Sequence, residues 1–130
     1  MAQTTLVALA LAAAVAAPAI AQDTSLAAAG QKVFKRCAAC HQVGPDAKNR
    51  VGPNLTGVVG RTAGTDEGFS YSDAMMTAGA DGLVWNEETL SAYLADPKSV
   101  VKGNKMAFVG LKSEDDRKAV IAYLEAENPK

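Results

Sequence analysis

The pentapeptide Cys37-Ala-Ala-Cys40-His41 is the feature that most constrains this chain. It contains both cysteines and the only histidine among the 130 residues. A structural zinc site needs four cysteine or histidine ligands, and the chain holds three, so zinc is excluded by count. Two cysteines this close can instead form a disulfide or a redox-active dithiol. Which chemistry the two cysteines perform depends on the compartment that the protein enters.

The N-terminal segment predicts export. Residues 1–21 contain 17 apolar side chains and no charged one. An apolar run over 6–17 precedes the cleavage motif Ala19-Ile20-Ala21, so we predict a signal peptide over 1–21 and a mature domain over 22–130. The alternative is an uncleaved anchor, but the run is shorter than the ~20 residues that a spanning helix needs. No later stretch is long enough to cross a bilayer, and we expect no membrane insertion.

Export sharpens the interpretation of the cysteine pair. The dithiol interpretation lacks the βαβ pattern of thioredoxin-like proteins. A C-x-x-C pair followed directly by histidine is the attachment signature of a c-type haem. Both thiols add to the haem vinyl groups, and the adjacent imidazole reaches the iron. The sequence therefore predicts one haem c, covalently bound through Cys37 and Cys40, with His41 as a metal ligand.

The rest of the mature chain predicts an all-α fold of short helices and long loops. No alternating pattern typical of a strand is present. Capping residues and apolar spacing predict four helices. They run from Ser25 towards Cys37, from Ser72 to near Gly79, from Asn86 to about Asp96, and from Ser113 to Asn128. The loops over 42–68 and 98–112 are unusually long for a compact domain, and wrapping a cofactor would explain them.

Methionine is the natural second axial ligand, because the chain has no other histidine and both cysteines are used. Met75, Met76 and Met106 remain after cleavage. Met106 lies in the second loop, which can present its sulfur from the far side of the iron. Met75 and Met76 lie on a predicted helix, where core filling is the simpler interpretation. We predict Met106 as the ligand, with the other two or an open sixth site as alternatives.

An ordered series of motifs resembles the class I c-type cytochromes, and mitochondrial cytochrome c and its bacterial periplasmic relatives in particular. The resemblance covers residues 26–126. The motifs are Gly30-x-x-x-Phe34-x-x-Cys37, Cys40-His41, Gly52-Pro53-Asn54-Leu55, Gly60-Arg61, Gly68-Phe69-Ser70-Tyr71, Trp85-x-Glu87-Glu88, Tyr93-Leu94-x-Asp96-Pro97, Lys105-Met106-x-Phe108 and Ile121-Ala122-Tyr123-Leu124. The resemblance implies a cytochrome c fold wrapped around one haem, and a periplasmic location.

The resemblance also implies roles for six further residues. The Pro53 carbonyl would accept from the His41 ring N–H, and Tyr93 would approach the Met106 sulfur. The polar groups of three side chains would meet the inner haem propionate; these are Arg61, Tyr71 and Trp85. For the two aromatic residues Trp85 and Tyr93 the alternative is ordinary core packing. Gly30 would let the first and last helices cross closely.

Four departures from the mitochondrial pattern put the strength of the iron–sulfur bond in question. Met75 stands where those relatives carry an asparagine, and Asn104 replaces a threonine. Lys102 replaces a proline, so we expect a less constrained ligand loop. Residues 79–84 hold three extra residues.

Charge is distributed unevenly despite a net charge of −1. Residues 30–50 and 97–112, called the basic segments below, carry nine of the 13 basic residues and one of the 14 acidic ones. They are Lys32, Lys35, Arg36, Lys48, Arg50, Lys98, Lys102, Lys105 and Lys112. These segments flank both predicted iron ligands, and clustered charge of one sign steers an oppositely charged protein. A sequence pI near 5.8 argues against nucleic-acid binding.

We therefore predict a single-electron carrier, not an enzyme, that exchanges electrons in respiration or photosynthesis. The expected partners are the acidic docking faces of quinol:cytochrome c oxidoreductase and of a terminal oxidase or photosynthetic reaction centre. We expect a monomer. One alternative is a haem sensor or peroxidase-like protein with a labile sixth ligand, and another is an exported dithiol protein without haem.

Overall fold

The computed structural model describes residues 12–15 and 19–130. Most of the predicted signal peptide therefore lies outside the described residues. Five helices follow one another along the described chain. They are α1 (Ala19–Phe34), α2 (Asp73–Ala80), α3 (Glu87–Ala95), α4 (Pro97–Val100) and α5 (Glu114–Ala126). The described residues form no strand, and Thr62 and Val84 make one isolated antiparallel bridge. The predicted all-α class is confirmed.

Helix α1 begins six residues before the expected start. The sequence predicts Ser25 as its cap, but Ser25 lies inside the helix, which begins at Ala19. The physical reason is the absence of any glycine or proline between Ala19 and Gly30, so nothing interrupts the helix. The helix contains the residues on both sides of the predicted cleavage site, Ala21 and Gln22. Cleavage there stays a prediction.

Three helices begin at the predicted capping residues, whose side chains accept hydrogen bonds from otherwise unpaired N–H groups. Ser72 accepts from the Met75 N–H at 3.1 Å. Ser113 accepts from the Asp116 N–H at 3.2 Å. Asn86 and Thr89 form a reciprocal capping box, with both N–H bonds at 2.9 Å. The predicted starts of α2, α3 and α5 are thus confirmed.

Helix α4 is missing from the sequence prediction, which treats 98–112 as loop. Pro97 ends α3, as expected, but it also occupies the first turn of α4, where its missing N–H costs nothing. Asp96 serves both helices. It follows the last residue of α3, and its carboxylate accepts from the Ser99 N–H at 3.3 Å.

The first and last helices cross at Gly30, as the resemblance implies. A Cβ atom at Gly30 would lie 1.9 Å from the Ala119 carbonyl oxygen, a distance that no side chain tolerates. Phe34 and Tyr123 extend this contact, with ring centroids 5.5 Å apart. The buried face of α5 continues the core through Val120 and Leu124. No helix among the described residues is long and apolar enough to cross a membrane.

Gly30→Ala should destabilise the protein by about 2–3 kcal/mol, because the new methyl group must push α1 away from α5. Thermal or denaturant unfolding measures this change. Ala29→Ser, at an exposed position one residue earlier on α1, is the control and should change stability by less than about 1 kcal/mol. Equal stability of Gly30→Ala and the unsubstituted protein would contradict the close crossing.

Candidate haem-binding site

The attachment motif folds into a helical turn immediately after α1. The N–H groups of Cys40 and His41 donate to the Cys37 carbonyl at 3.1 and 2.9 Å. Residues four apart on such a turn share a face, so Cys37 and His41 lie on the same side. Both cysteines are half-buried, and they form no disulfide with each other. Burial raises the pKa of the Cys37 thiol, while the Arg36 charge opposes that shift.

The His41 ring is oriented by one hydrogen bond. Its Nδ1 lies 2.8 Å from the Pro53 carbonyl oxygen, the contact that the resemblance implies for Pro53. A carbonyl only accepts, so Nδ1 carries the proton and Nε2 keeps its lone pair. Burial lowers the pKa of His41, and the bond to Pro53 opposes that shift in part. A neutral, oriented imidazole with a free Nε2 is the form that binds a metal ion.

Gly52 supports the same ring by having no side chain. A Cβ atom there would lie 2.4 Å from His41 Cε1. The Gly52 N–H donates to the Cys40 carbonyl at 2.9 Å, and this bond holds the segment around Gly52 against the attachment turn. Gly52 belongs to one of the motifs named above, but its contact with the His41 ring was not predicted. The signal was the Gly-Pro pair itself, since glycine is required where backbone approaches a ring this closely.

Arg61 and Trp85 are held side by side by backbone hydrogen bonds. The Trp85 N–H donates to the Arg61 carbonyl at 2.9 Å, next to the Thr62–Val84 bridge. The Trp85 ring is buried and lies 4.8 Å from the Tyr93 ring. Burial raises the pKa of Tyr93 to about 12, so its phenol stays protonated at neutral pH.

Tyr71 joins Arg61 through a residue that the sequence analysis does not single out. The Arg61 guanidinium lies 3.7 Å from the Asp66 carboxylate and donates to the Asn54 carbonyl at 3.1 Å. The Tyr71 hydroxyl oxygen accepts from the Asp66 N–H at 3.1 Å, so its own proton stays free to donate. The structure thus brings Arg61 and Tyr71 to one place. Residues 64–68 contain two acidic side chains, and nothing in the sequence distinguishes Asp66 from Glu67 as the partner of Arg61.

The segment around Met106 is held by Asn104. The Asn104 amide nitrogen donates to the carbonyls of Pro97 and Val101 at 3.2 and 2.8 Å, and its oxygen accepts from the Met106 N–H at 2.9 Å. Asn104 thus restrains this segment by bonding Pro97 and Val101 before it and Met106 after it. The expectation that Lys102 leaves the loop less constrained than a proline would stays a prediction.

The other two methionines lie where the sequence predicts, on α2. Met75 is buried in the main apolar cluster, and Met76 is 47% exposed. Met106 packs against the same cluster, which contains Trp85 and Tyr93. Met106 is the one of the three that lies in a loop.

The donor set fits a haem c. Two free thiols and an oriented imidazole occupy one turn, and Gly52 leaves room for the ring. A loop methionine offers a thioether, while a guanidinium and a phenol proton meet where a carboxylate could be bound. An all-α chain with this attachment turn is a protein that binds haem covalently.

The chain belongs to the cytochrome c family, whose profile matches residues 27–127. It is 49% identical over 112 residues to cytochrome c2 of Blastochloris viridis, covering 86% of this chain and 84% of that protein. It is 54% identical over 99 residues to cytochrome c2 of Rhodomicrobium vannielii, covering 76% and 77%. The solved structure of cytochrome c2 from Rhodospirillum centenum matches with a TM-score of 0.76 at 46% identity, covering 79% and 98%. This chain is thus an electron carrier with one haem c bound through Cys37 and Cys40.

Gly52→Ala should reduce the yield of haem-bearing protein several-fold, because the methyl group would displace the His41 ring. The ratio of haem absorbance to total protein measures this loss. Val51→Ala changes the neighbouring side chain, which is 78% exposed, and should leave the ratio unchanged. A normal ratio in Gly52→Ala would show that the ring has room to move.

Proposed function

We propose that residues 22–130 form a periplasmic single-electron carrier with His41 and Met106 as the two axial ligands of its haem iron. The bound haem supplies reversible one-electron chemistry, and the chain supplies ligation, burial and orientation. The observation that carries this proposal is the bond from His41 Nδ1 to the Pro53 carbonyl. With Nδ1 bonded to Pro53, Nε2 of the single histidine would be the nitrogen that binds the iron, and a different side chain would supply the second ligand.

Met106 is the best candidate for that opposite position. Its backbone is bonded to Asn104, and its side chain packs against the cluster that contains Tyr93. Tyr93 is the nearby phenol that we propose approaches the sulfur, and its raised pKa keeps a donor proton available. A thioether ligand favours the reduced iron and so raises the potential.

We also propose that Arg61, Tyr71 and Trp85 bind the inner haem propionate. The support is their common location: Arg61 and Trp85 pair through the backbone, and Tyr71 reaches the Arg61 partner Asp66. A buried carboxylate is costly unless donors surround it, and a guanidinium with a phenol proton meets that need.

The proposed role is transfer of electrons without catalysis of a further reaction. Asn104 holds the Met106 backbone, and a Met106 thioether bound to the iron would fill the position that a sensor or peroxidase-like protein needs open. The alternative with a labile sixth ligand requires Met106 to leave the iron easily. The three side-chain hydrogen bonds of Asn104 argue against such easy release.

The basic segments are the surface that we propose docks redox partners. All nine of their basic residues are exposed. Two of them also brace the fold: Lys105 lies 3.4 Å from the Ser70 and Tyr71 carbonyls, and Lys112 donates to the Ala95 carbonyl at 2.8 Å. The partners that fit are the acidic faces of quinol:cytochrome c oxidoreductase and of a terminal oxidase or photosynthetic reaction centre.

Met106→Ala should keep the covalent haem but lose the sulfur-to-iron charge-transfer band of the ferric protein, and its potential should fall. Absorption spectroscopy and potentiometry measure both effects. Met76→Ala removes an exposed methionine and serves as the control, with an unchanged spectrum. An unchanged band in Met106→Ala would refute the proposed ligation, and the proposal would then have to move to Met75.

Lys35→Glu and Lys102→Glu should each slow reduction by purified quinol:cytochrome c oxidoreductase roughly tenfold at low salt, mainly through the association rate. Stopped-flow kinetics at several ionic strengths measures the effect, which salt should screen. Lys105 is avoided because its reversal would also disturb the loop. Lys130→Glu, outside the basic segments, is the control. Equal slowing in all three variants would mean that net charge governs docking.

A further inference from the structure

The Asp66 side chain places a second carboxylate where a haem propionate is proposed to bind. Its Oδ1 lies 3.7 Å from the Arg61 guanidinium. Its backbone N–H is bonded to the Tyr71 hydroxyl oxygen. Asp66 therefore touches both side chains through which the chain is proposed to hold the propionate.

The Asp66 carboxylate has few hydrogen-bond donors around it among the described residues. Its Oδ2 atom is buried, and no donor among the described residues is bonded to it. The side chain as a whole is 21% exposed, and that of Arg61 is 19% exposed. A charge in such a place is screened weakly by water and salt, so it acts over a longer distance than a surface charge.

The Asp66 charge affects the pKa of the neighbouring Tyr71 phenol. Burial raises the pKa of Tyr71, and the Asp66 carboxylate acts in the same direction, while the Arg61 charge and the bond from the Asp66 N–H oppose the shift. The three side chains therefore form one electrostatic unit, and a charge change at Asp66 reaches its partners.

We propose that Asp66 is a positioning residue that lowers the reduction potential of the haem by drawing the Arg61 charge away from the propionate. The inference rests on the proposed propionate site. Two effects act in the same direction. A fixed anion near the site stabilises the more positive ferric iron. An Arg61 shared with Asp66 neutralises less of the propionate charge, which stabilises the ferric state further.

Asp66→Asn tests this inference because it keeps the side-chain shape and removes the charge. In the haem-bearing protein, we expect the equilibrium constant for reduction by one common donor to rise roughly threefold or more. Potentiometry at low and high salt measures the shift. The shift should persist at high salt, because the carboxylate is largely buried.

Glu67→Gln is the matched control. It makes the same charge change one residue later, at an exposed side chain, and should leave the potential nearly unchanged at high salt. Asp66→Glu keeps the charge and should stay close to the unsubstituted protein. Asp66→Ala is the second charge-removing variant if Asp66→Asn gives no haem-bearing protein.

The sign of the shift separates an electrostatic role from a structural one. If Asp66 only braced the loop, its loss would admit water, stabilise ferric iron and lower the potential. An unchanged or lower potential in the charge-removing variants would overturn the inference, as would an equal rise in Glu67→Gln. The ferric charge-transfer band of the unsubstituted protein reports separately on Met106, so failure of the proposed ligation is distinguishable.

Discussion

The hydrogen bond between the His41 ring and the Pro53 carbonyl is the contact on which the site depends. It leaves Nε2 as the ring nitrogen available to a metal ion, and it orients the ring. The bond requires a loop close enough to carry Pro53 to the ring. Gly52 makes that approach feasible, because any larger residue would strike the imidazole. These two contacts, with Pro53 and Gly52, position the ring for the rest of the site.

Side chains, rather than a sheet, hold the long loops in place. Asn54 is the clearest case in the first loop. Its side-chain nitrogen donates to the Ala47 carbonyl, and its side-chain oxygen accepts from the Thr56 N–H. Its backbone carbonyl accepts from Arg61. Asn104 does the same for the segment before Met106. Such bonds let an irregular backbone satisfy its polar groups without regular structure. The two proposed ligands therefore come from segments with independent restraints.

The sequence predicted what local chemistry determines. Ser72, Asn86 and Ser113 mark helix starts because capping depends on neighbouring residues only. The predicted start of α1 was wrong, because a residue that can cap a helix, such as Ser25, can also lie inside one. Helix α4 was missed because Pro97 can both end one helix and begin the next.

Contacts that depend on the path of an irregular loop were harder to predict. The motifs identified the attachment turn and the methionine loop, and resemblance pointed to Pro53 and Arg61. Nothing in the sequence indicated that Asp66 would pair with Arg61, because that pairing depends on how the loop folds back. The restraint from Asn104 was missed as well, although two of its three side-chain partners, Val101 and Met106, lie within three residues, because the bonds depend on how the backbone turns after α4.

Proton NMR of the reduced protein tests the central claim most directly. A methionine methyl group bound at the iron lies over the haem ring, whose ring current shifts its resonance far upfield. We predict one such three-proton signal, present in the unsubstituted protein and absent from Met106→Ala that still carries covalent haem. Ordinary methyl shifts for every methionine, or an upfield signal that persists in Met106→Ala, would contradict ligation by Met106.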